Sequence, residues 1–168
     1  MKAKPDAIDE LLAAWRLARP DLDAAPLALV GRVLVLARGL ERRVDAALSK
    51  HGLTLGQFDI LATIRRAEQS RGLTPTQLLQ SVVLTSGGMT NRLDKLEDAG
   101  LIARKPDPAD RRGVVVTLTA KGRRVIDAAT ATRFSDAAKS LPALSARDRG
   151  KMETMLRGWL NDLENEER

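Results

Sequence analysis

Cysteine is absent from the 168 residues of this chain, and histidine occurs once, at position 51. Without cysteine the chain has no disulfide, no thiolate nucleophile and no cysteine-ligated zinc, and one histidine cannot build a histidine-rich metal site. A glycine-rich phosphate loop is also missing. We therefore expect no enzyme, no catalytic residue, no metal and no cofactor, and the lack of cysteine suits a reducing cytoplasm.

Aromatic residues make up 2% of the chain, and none of them is tyrosine. Proteins that bind RNA or single strands usually stack bases on aromatic side chains, so this scarcity argues against both. Long hydrophobic runs are missing too, since the longest, near residues 33–37, is far too short to cross a bilayer. With no secretory signal visible, the sequence predicts a soluble, cytoplasmic protein with no membrane partner.

Positive charge is concentrated in one part of the chain. The formal net charge is +6, and residues 101–124 hold seven lysines and arginines against two aspartates. Such a patch is typical of nucleic-acid binding, although a solvated basic face that improves solubility has the same composition. Charge alone leaves these two interpretations open.

Residues 104–119 carry the strongest local signal and predict a β-hairpin with a rigid, positively charged tip. Pro106 and Pro108 stiffen the approach to the turn. Asp110 stands beside Arg111 and Arg112 at the bend, and a β-branched run forms the return strand. We expect strands near 101–105 and 113–118. A hairpin of this kind, placed after a short helix, suits insertion beside the phosphate backbone of DNA.

Helices dominate the rest of the chain, and capping signals mark their starts. Capping boxes are predicted at Thr54 with Gln57, at Thr74 with Gln77, and at residues 145–148. Glycines at 52 and 100 and a proline at 142 are natural stops. The predicted helices span residues 8–18, 27–50, 55–67, 75–82, 86–99, 120–139 and 146–165.

The order of these elements predicts a mainly α (α+β) fold, a winged helix-turn-helix with long N- and C-terminal dimerisation helices. We assign 1–52 to an added N-terminal helix and a dimerisation helix, 53–119 to the DNA-binding domain and 120–168 to C-terminal dimerisation helices. A wide apolar stripe on the last helix favours a two-fold homodimer, which suits a palindromic operator. The alternative is that this stripe packs within one chain. Its residues are Met152, Met155, Leu156, Trp159, Leu160 and Leu163.

The helix at 86–99 has the pattern of a recognition helix. At about 100° per residue, Met89, Leu93 and Leu96 share a buried face, and Arg92 lies on its flank, where it needs an anionic or polar partner. Small residues at the start let backbone N–H groups approach phosphates, while Asn and Thr can contact base edges. An ordinary solvated surface is the alternative, and the hairpin downstream favours DNA. The candidate DNA contacts are Thr85, Ser86, Gly87, Gly88, Thr90, Asn91, Asp94, Lys95, Asp110, Arg111 and Arg112.

With these motifs in place, the chain resembles the MarR family of bacterial winged-helix regulators over nearly its whole length. The specific segments are 110–113 with 116–119, and 86–93 with 96–97. The resemblance implies an obligate homodimer with interlocked terminal helices, recognition helices in successive major grooves and wing tips in flanking minor grooves. It also implies that Asp110 orients one tip arginine while another, Arg112 by analogy, enters the minor groove. The sequence leaves open which of Arg111 and Arg112 is oriented by Asp110 and which enters the minor groove.

A narrower resemblance is to the urate-responsive branch of that family, carried by Trp15, by residues 19–23 and by residues 58–61. It implies an added N-terminal helix and a ligand site formed by Trp15, Asp59, Arg92 and Arg104. The chemistry is compatible, because a tryptophan face stacks on a flat anion and arginines hydrogen-bond its edge. Three alternatives stay open: Trp15 anchors its helix, Asp59 and Arg92 form a structural pair, or the ligand is another aromatic acid or absent.

The sequence thus predicts a homodimeric DNA-binding repressor, released from a palindromic operator by a small aromatic anion such as urate. We expect ligand binding near Asp59 and Arg104 to change the pairing of Arg92 and tilt the recognition helix. Rival interpretations are a regulator with another phenolic ligand or none, an architectural nucleic-acid-binding protein, and a protein-interaction module. Salt-dependent binding to a palindromic duplex would separate DNA binding from the last of these.

Overall fold

The computed structural model describes residues 4–67, 72–82, 88–107 and 113–166. It confirms the predicted winged helix-turn-helix flanked by long helices. In chain order the elements are α1 (Ala7–Ala18), α2 (Leu27–Leu48), a single 3-10 turn (Ser49–His51), α3 (Leu55–Arg66), α4 (Pro75–Ser81), α5 (Met89–Asp98), β1 (Ile102–Pro106), β2 (Val114–Leu118), α6 (Ala120–Ser140) and α7 (Ala146–Glu166).

Two predicted capping boxes set the starts of α3 and α4. The Gln57 N–H donates to the Thr54 hydroxyl at 3.3 Å, and the Thr54 N–H donates back to the Gln57 side chain at 3.0 Å. Thr74 and Gln77 repeat the arrangement at 3.2 and 2.9 Å, with Pro75 at the first helical position. Because each box satisfies two otherwise unpaired N–H groups, the starts of both helices are encoded locally.

Helix α5, the predicted recognition helix, begins at Met89, three residues later than the sequence pattern predicts. Gly88 has φ of +70°, in the left-handed region, and it is the N-cap of the helix. A residue in that conformation cannot be part of a right-handed helix. The prediction that the helix starts at 86, and so includes position 88, is therefore wrong. Residues 83–87 lie outside the described part of the chain.

The hairpin forms as predicted and gains one partner that the sequence did not reveal. Strands β1 and β2 pair antiparallel with Arg104 opposite Val116. Leu73 pairs with the other edge of β2: its N–H donates to the Val116 carbonyl at 3.2 Å, and the Val116 N–H donates to the Leu73 carbonyl at 2.8 Å. The segment before α4 therefore holds the wing from the side away from β1.

The core surrounds α3, whose Ile60 and Leu61 are fully buried, together with Leu48, Leu96 and Ile126. Helix α6 approaches the start of β1 closely at Gly122. A Cβ built on Gly122 would overlap the Leu101 carbonyl oxygen and lie 2.8 Å from its carbonyl carbon. Only glycine permits this contact between a helix backbone and a strand backbone without a shift of one of them.

The chain divides into two compact units, Met1–Phe134 and Ser135–Arg168. In the first unit, α2 exposes a series of large apolar side chains: Leu27, Leu29, Val30, Leu34, Val35, Leu36 and Leu40. In the second unit no described residue of α7 is buried, and its exposed apolar side chains are Met152, Met155, Leu156, Leu160 and Leu163. None of the helices within the described ranges is long and apolar enough to cross a membrane.

Candidate nucleic-acid interface and ligand site

Helix α5 divides into the two faces that its sequence predicts. Met89, Leu93 and Leu96 are buried, with 9%, 2% and 0% of their surface exposed. On the other side, the predicted DNA contacts that the structure describes are all exposed: Gly88, Thr90, Asn91, Asp94 and Lys95. The remaining candidate DNA contacts, Thr85, Ser86, Gly87, Asp110, Arg111 and Arg112, lie outside the described residues, so their contacts stay predictions.

Arg104 connects the wing to the recognition helix. Its guanidinium contacts the carboxylate of Asp94 at 2.6 Å and that of Glu97 at 2.7 Å. Its backbone N–H also donates to the second oxygen of Glu97 at 3.1 Å. The hydrogen bonds that Arg104 donates to these carboxylates raise its pKa, and the one to Asp94 raises it most strongly. An anionic ligand at Arg104 would therefore have to compete with two carboxylates that are already in place.

Asp59 on α3 is a half-buried carboxylate surrounded by arginines. Burial raises its pKa, and the positive charges of Arg133, Arg66 and Arg92 oppose that rise. Its Oδ2 is buried and has no hydrogen-bond partner among the described residues. A buried carboxylate oxygen without a donor is costly, and so the site can gain by accepting a hydrogen bond.

Arg92 is half-buried on the flank of α5, as predicted, and its charge acts on Asp59. The structure thus brings together two of the four residues predicted to bind a ligand. Arg104 instead faces Asp94 and Glu97 on α5. Trp15 lies on α1, which packs against α2, and its indole is 44% exposed.

A cavity of about 500 Å³ lies where α2 meets the starts of α3 and α5. It carries both signs of charge, with Glu41 and Asp45 on α2 facing Arg92 and Lys95 on α5. The Leu55 N–H donates to Asp45 at 2.6 Å, which ties the start of α3 to α2. The full lining is Glu41, Asp45, Thr54, Leu55, Gly56, Gln57, Gly88, Asn91, Arg92 and Lys95. Of the four predicted ligand residues, Arg92 alone belongs to the part of this lining that the structure describes.

Several residues of these sites were not identified from the sequence. Arg133 and Arg66 act on Asp59 from α6 and from the end of α3, and Glu97 holds Arg104. For Glu97 a signal existed, because it follows Asp94 by three residues and so lies near it on the helix surface. Arg133 is 74 positions away from Asp59, and no local pattern indicates its electrostatic effect on that carboxylate.

The comparisons with known proteins agree with this geometry. The MarR family model matches residues 51–113. The transcriptional regulator PecS of Dickeya dadantii is 35% identical over 120 residues, which cover 71% of this chain and 72% of PecS. The transcriptional repressor Rv2887 of Mycobacterium tuberculosis is 37% identical over 135 residues, 80% of this chain and 93% of the repressor.

Two solved structures extend the comparison. Rv2887 in complex with salicylic acid is 35% identical, with a TM-score of 0.59 over 82% of this chain and 98% of that one. A mutant of MarR from Escherichia coli, in complex with operator DNA, is 25% identical. Its TM-score is 0.69 over 93% of this chain and 99% of that one.

The three-helix core, the two-stranded wing and the polar face of α5 define a winged helix-turn-helix DNA-binding protein. Relatives that share this order over most of their length are transcriptional regulators, and none of those named above is an enzyme. The chain belongs to the MarR family, and it is a DNA-binding transcriptional regulator rather than an enzyme.

Proposed function

We propose that this regulator is a homodimeric repressor that leaves a palindromic operator when a small aromatic anion such as urate binds. The observation that carries the proposal is the recognition helix α5. One of its faces presents Asn91 and Lys95 to solvent, while Arg92 on its flank lies in the electrostatic field of the half-buried Asp59. The residues proposed to contact DNA and the arginine proposed to respond to the ligand therefore lie on the same short helix.

DNA binding by α5 is tested with Asn91→Ala and Lys95→Ala, measured by fluorescence anisotropy on a palindromic duplex. Loss of a lysine that contacts phosphate lowers affinity on all sequences and reduces the slope of log K against log salt by about 1. Loss of an asparagine that contacts a base costs about 1–3 kcal/mol of binding free energy on the operator and relaxes sequence preference. Lys50→Ala, an exposed lysine after α2, is the matched control. Wild-type affinity and slope in both α5 variants would contradict the proposed interface.

The homodimer is supported by the exposed apolar side chains of α2 and, separately, of α7. Contiguous apolar surface of this extent on a soluble domain marks an interaction site, and a two-fold arrangement matches a palindrome. Light scattering after size exclusion should give the mass of two chains at micromolar concentration. Leu160→Glu should reduce that mass and the affinity for the palindrome together. A single-chain mass for the wild type would contradict the dimer.

The ligand site is supported by the electrostatics around Asp59. An arginine cluster with a buried, unpaired carboxylate oxygen suits a planar ligand that carries negative charge and an N–H or O–H donor. Urate has both kinds of group. A ligand that pairs with Arg92 would compete with Asp59 for it, and since Arg92 is on α5, the change would act on the recognition helix.

Urate titration of the DNA complex tests this step, comparing wild type with Trp15→Ala and Arg92→Ala. We expect both variants to require more urate for release, and Lys50→Ala, an exposed position outside the proposed site, serves as the control. Salicylate is the second candidate, because the relative Rv2887 has been solved with salicylic acid. If Trp15→Ala and Arg92→Ala respond as the wild type does to both compounds, the site assignment is wrong.

A further inference from the structure

The N-terminal helix α1 is held at only one of its ends. Ile8 and Leu12 are its buried residues, and every described residue from 13 to 18 is exposed. Ile8 packs on Gly31 of α2, where an added Cβ would meet Ile8 Cδ1 at 3.1 Å. Trp15 lies seven residues beyond Ile8, about 10 Å along the helix axis, on the exposed half.

A single arginine of α2 binds the N-terminal end of α1. Arg32 Nε donates to Asp6 at 2.9 Å, and its Nη2 donates to Asp9 at 2.7 Å. Its third nitrogen, Nη1, donates to the Ala28 carbonyl of its own helix at 2.8 Å, which fixes the orientation of the guanidinium. The planar guanidinium can satisfy all three acceptors at once, which a lysine ammonium on its flexible stem does less well.

The same two aspartates also form the capping box of α1. The Asp9 N–H donates to the Asp6 carboxylate at 3.1 Å, and the Asp6 N–H donates to the Asp9 carboxylate at 3.0 Å. Starting the helix and docking it on α2 therefore use the same carboxylates. The hydrogen bonds from the Asp6 backbone and from Arg32 lower the pKa of Asp9, so the contact stays charged throughout the neutral range.

We propose that Arg32 is a positioning residue, which holds α1 on α2 and thereby sets where Trp15 stands for a stacked ligand. The inference rests on the proposed ligand response, but the docking of α1 can be measured without any ligand. No side chain of α1 after Leu12 is buried, so within one chain the direction of the Trp15 half depends on the anchored half.

The test introduces Arg32→Ala, Arg32→Lys and, as a matched control on the same helix, Arg38→Ala into the full-length protein. Emission is measured with Trp159→Phe added, so that it reports Trp15 alone, whereas cleavage and release of DNA are measured with Trp159 in place. Trypsin cleaves after Arg16, whereas the bond after Arg19 precedes Pro20 and resists cleavage. Because trypsin cuts a locally unfolded segment, the initial rate of cleavage after Arg16 measures unfolding of α1, which its docking on α2 opposes. The alanine variants at 32 and 38 each remove one tryptic site from α2, so they are comparable.

We expect Arg32→Ala to be cleaved after Arg16 about twofold to fivefold faster, in the range of a lost charged contact near the surface. Trp15 emission should shift to the red with lower anisotropy. The urate concentration for release of DNA should rise by a similar factor, while affinity for DNA without ligand stays within about twofold. Arg32→Lys should recover part of each change, and Arg38→Ala should match its parent.

Wild-type cleavage, emission and urate response in Arg32→Ala would overturn the proposal. Parallel losses of DNA affinity and urate response would also overturn it, because they would show a general structural role. If the parent protein responds to neither urate nor salicylate, the proposed ligand is wrong. Cleavage after Arg16 and Trp15 emission then decide on their own whether Arg32 positions the helix.

Discussion

Gly122→Ala should destabilise the protein strongly, although alanine is the better helix former. At this position α6 touches the backbone of Leu101, and the added methyl group would overlap the carbonyl oxygen. The obstacle is backbone rather than the end of a flexible side chain, so a rotamer change cannot relieve it. Either the first turn of α6 or the start of β1 must move.

The hydrogen bonds around this contact set the cost of that movement. The Thr119 N–H donates to the Leu101 carbonyl at 3.1 Å, its hydroxyl donates to the Gly100 carbonyl at 2.7 Å, and the Gly122 N–H donates to the Thr119 hydroxyl at 2.9 Å. Straining or breaking them costs about 1 kcal/mol each, and overpacking adds about 1–3 kcal/mol. Alanine returns about 1 kcal/mol of helix propensity, so the expected net loss is about 3–5 kcal/mol.

Urea denaturation followed by circular dichroism measures this loss directly. Gly150→Ala in α7 is the matched control, because a Cβ there meets nothing within 4 Å. Alanine at 150 should leave stability unchanged or raise it by about 0.5–1 kcal/mol. If Gly122→Ala is as stable as the wild type, then the close approach of α6 to β1 is wrong, and so is the explanation of this glycine.

Three further changes test other parts of the structure. Thr54→Ala removes a capping box and should lower the free energy of unfolding by about 1 kcal/mol in urea denaturation, and no change would mean that the box is not formed. Arg104→Gln should cost about 0.5–1 kcal/mol, because its pairs with Asp94 and Glu97 are partly exposed, and the cost should shrink at high salt. A salt-independent cost would argue against the ion pairs. Asp59→Asn tests burial of a carboxylate whose folded pKa is raised above its ordinary value of 3.8. The folded wild type then binds more protons than the unfolded chain, so its stability falls as pH rises from 3.8 through the raised value. Asp59→Asn should be the more stable form above that window, and the advantage should vanish below it. A pH-independent difference in denaturation midpoints between pH values on either side would contradict the raised pKa.

Helix starts and buried helix faces could be predicted where residues close in sequence determine them. The capping boxes at Thr54 and Thr74 place two helix starts, and the spacing of Met89, Leu93 and Leu96 identifies the buried face of α5. These signals depend on residues three or four positions apart, which one sequence displays directly.

The rest depends on contacts between distant positions. Leu73 pairs with Val116 through backbone atoms alone, so no side-chain pattern marks it. The charge of Arg133 acts on Asp59 only because the fold places α6 near α3, and Gly122 is exceptional only because Leu101 lies against it. The common ligand site stays a prediction for its four residues, Trp15, Asp59, Arg92 and Arg104. Among them, the charge of Arg92 acts on Asp59.

Glu97 accepts hydrogen bonds from both the backbone and the side chain of Arg104, and this double attachment has a mechanical consequence. Because strand and helix are joined at two points within one residue, a rotation of α5 would be transmitted directly to β1. Five residues of extended β1 span about 17 Å, so a rotation of roughly 5° would displace the distal end of the strand by about 1.5 Å. That displacement is about half the length of a hydrogen bond, so a contact that β1 makes near Pro106 would be sensitive to a small change in the angle of α5.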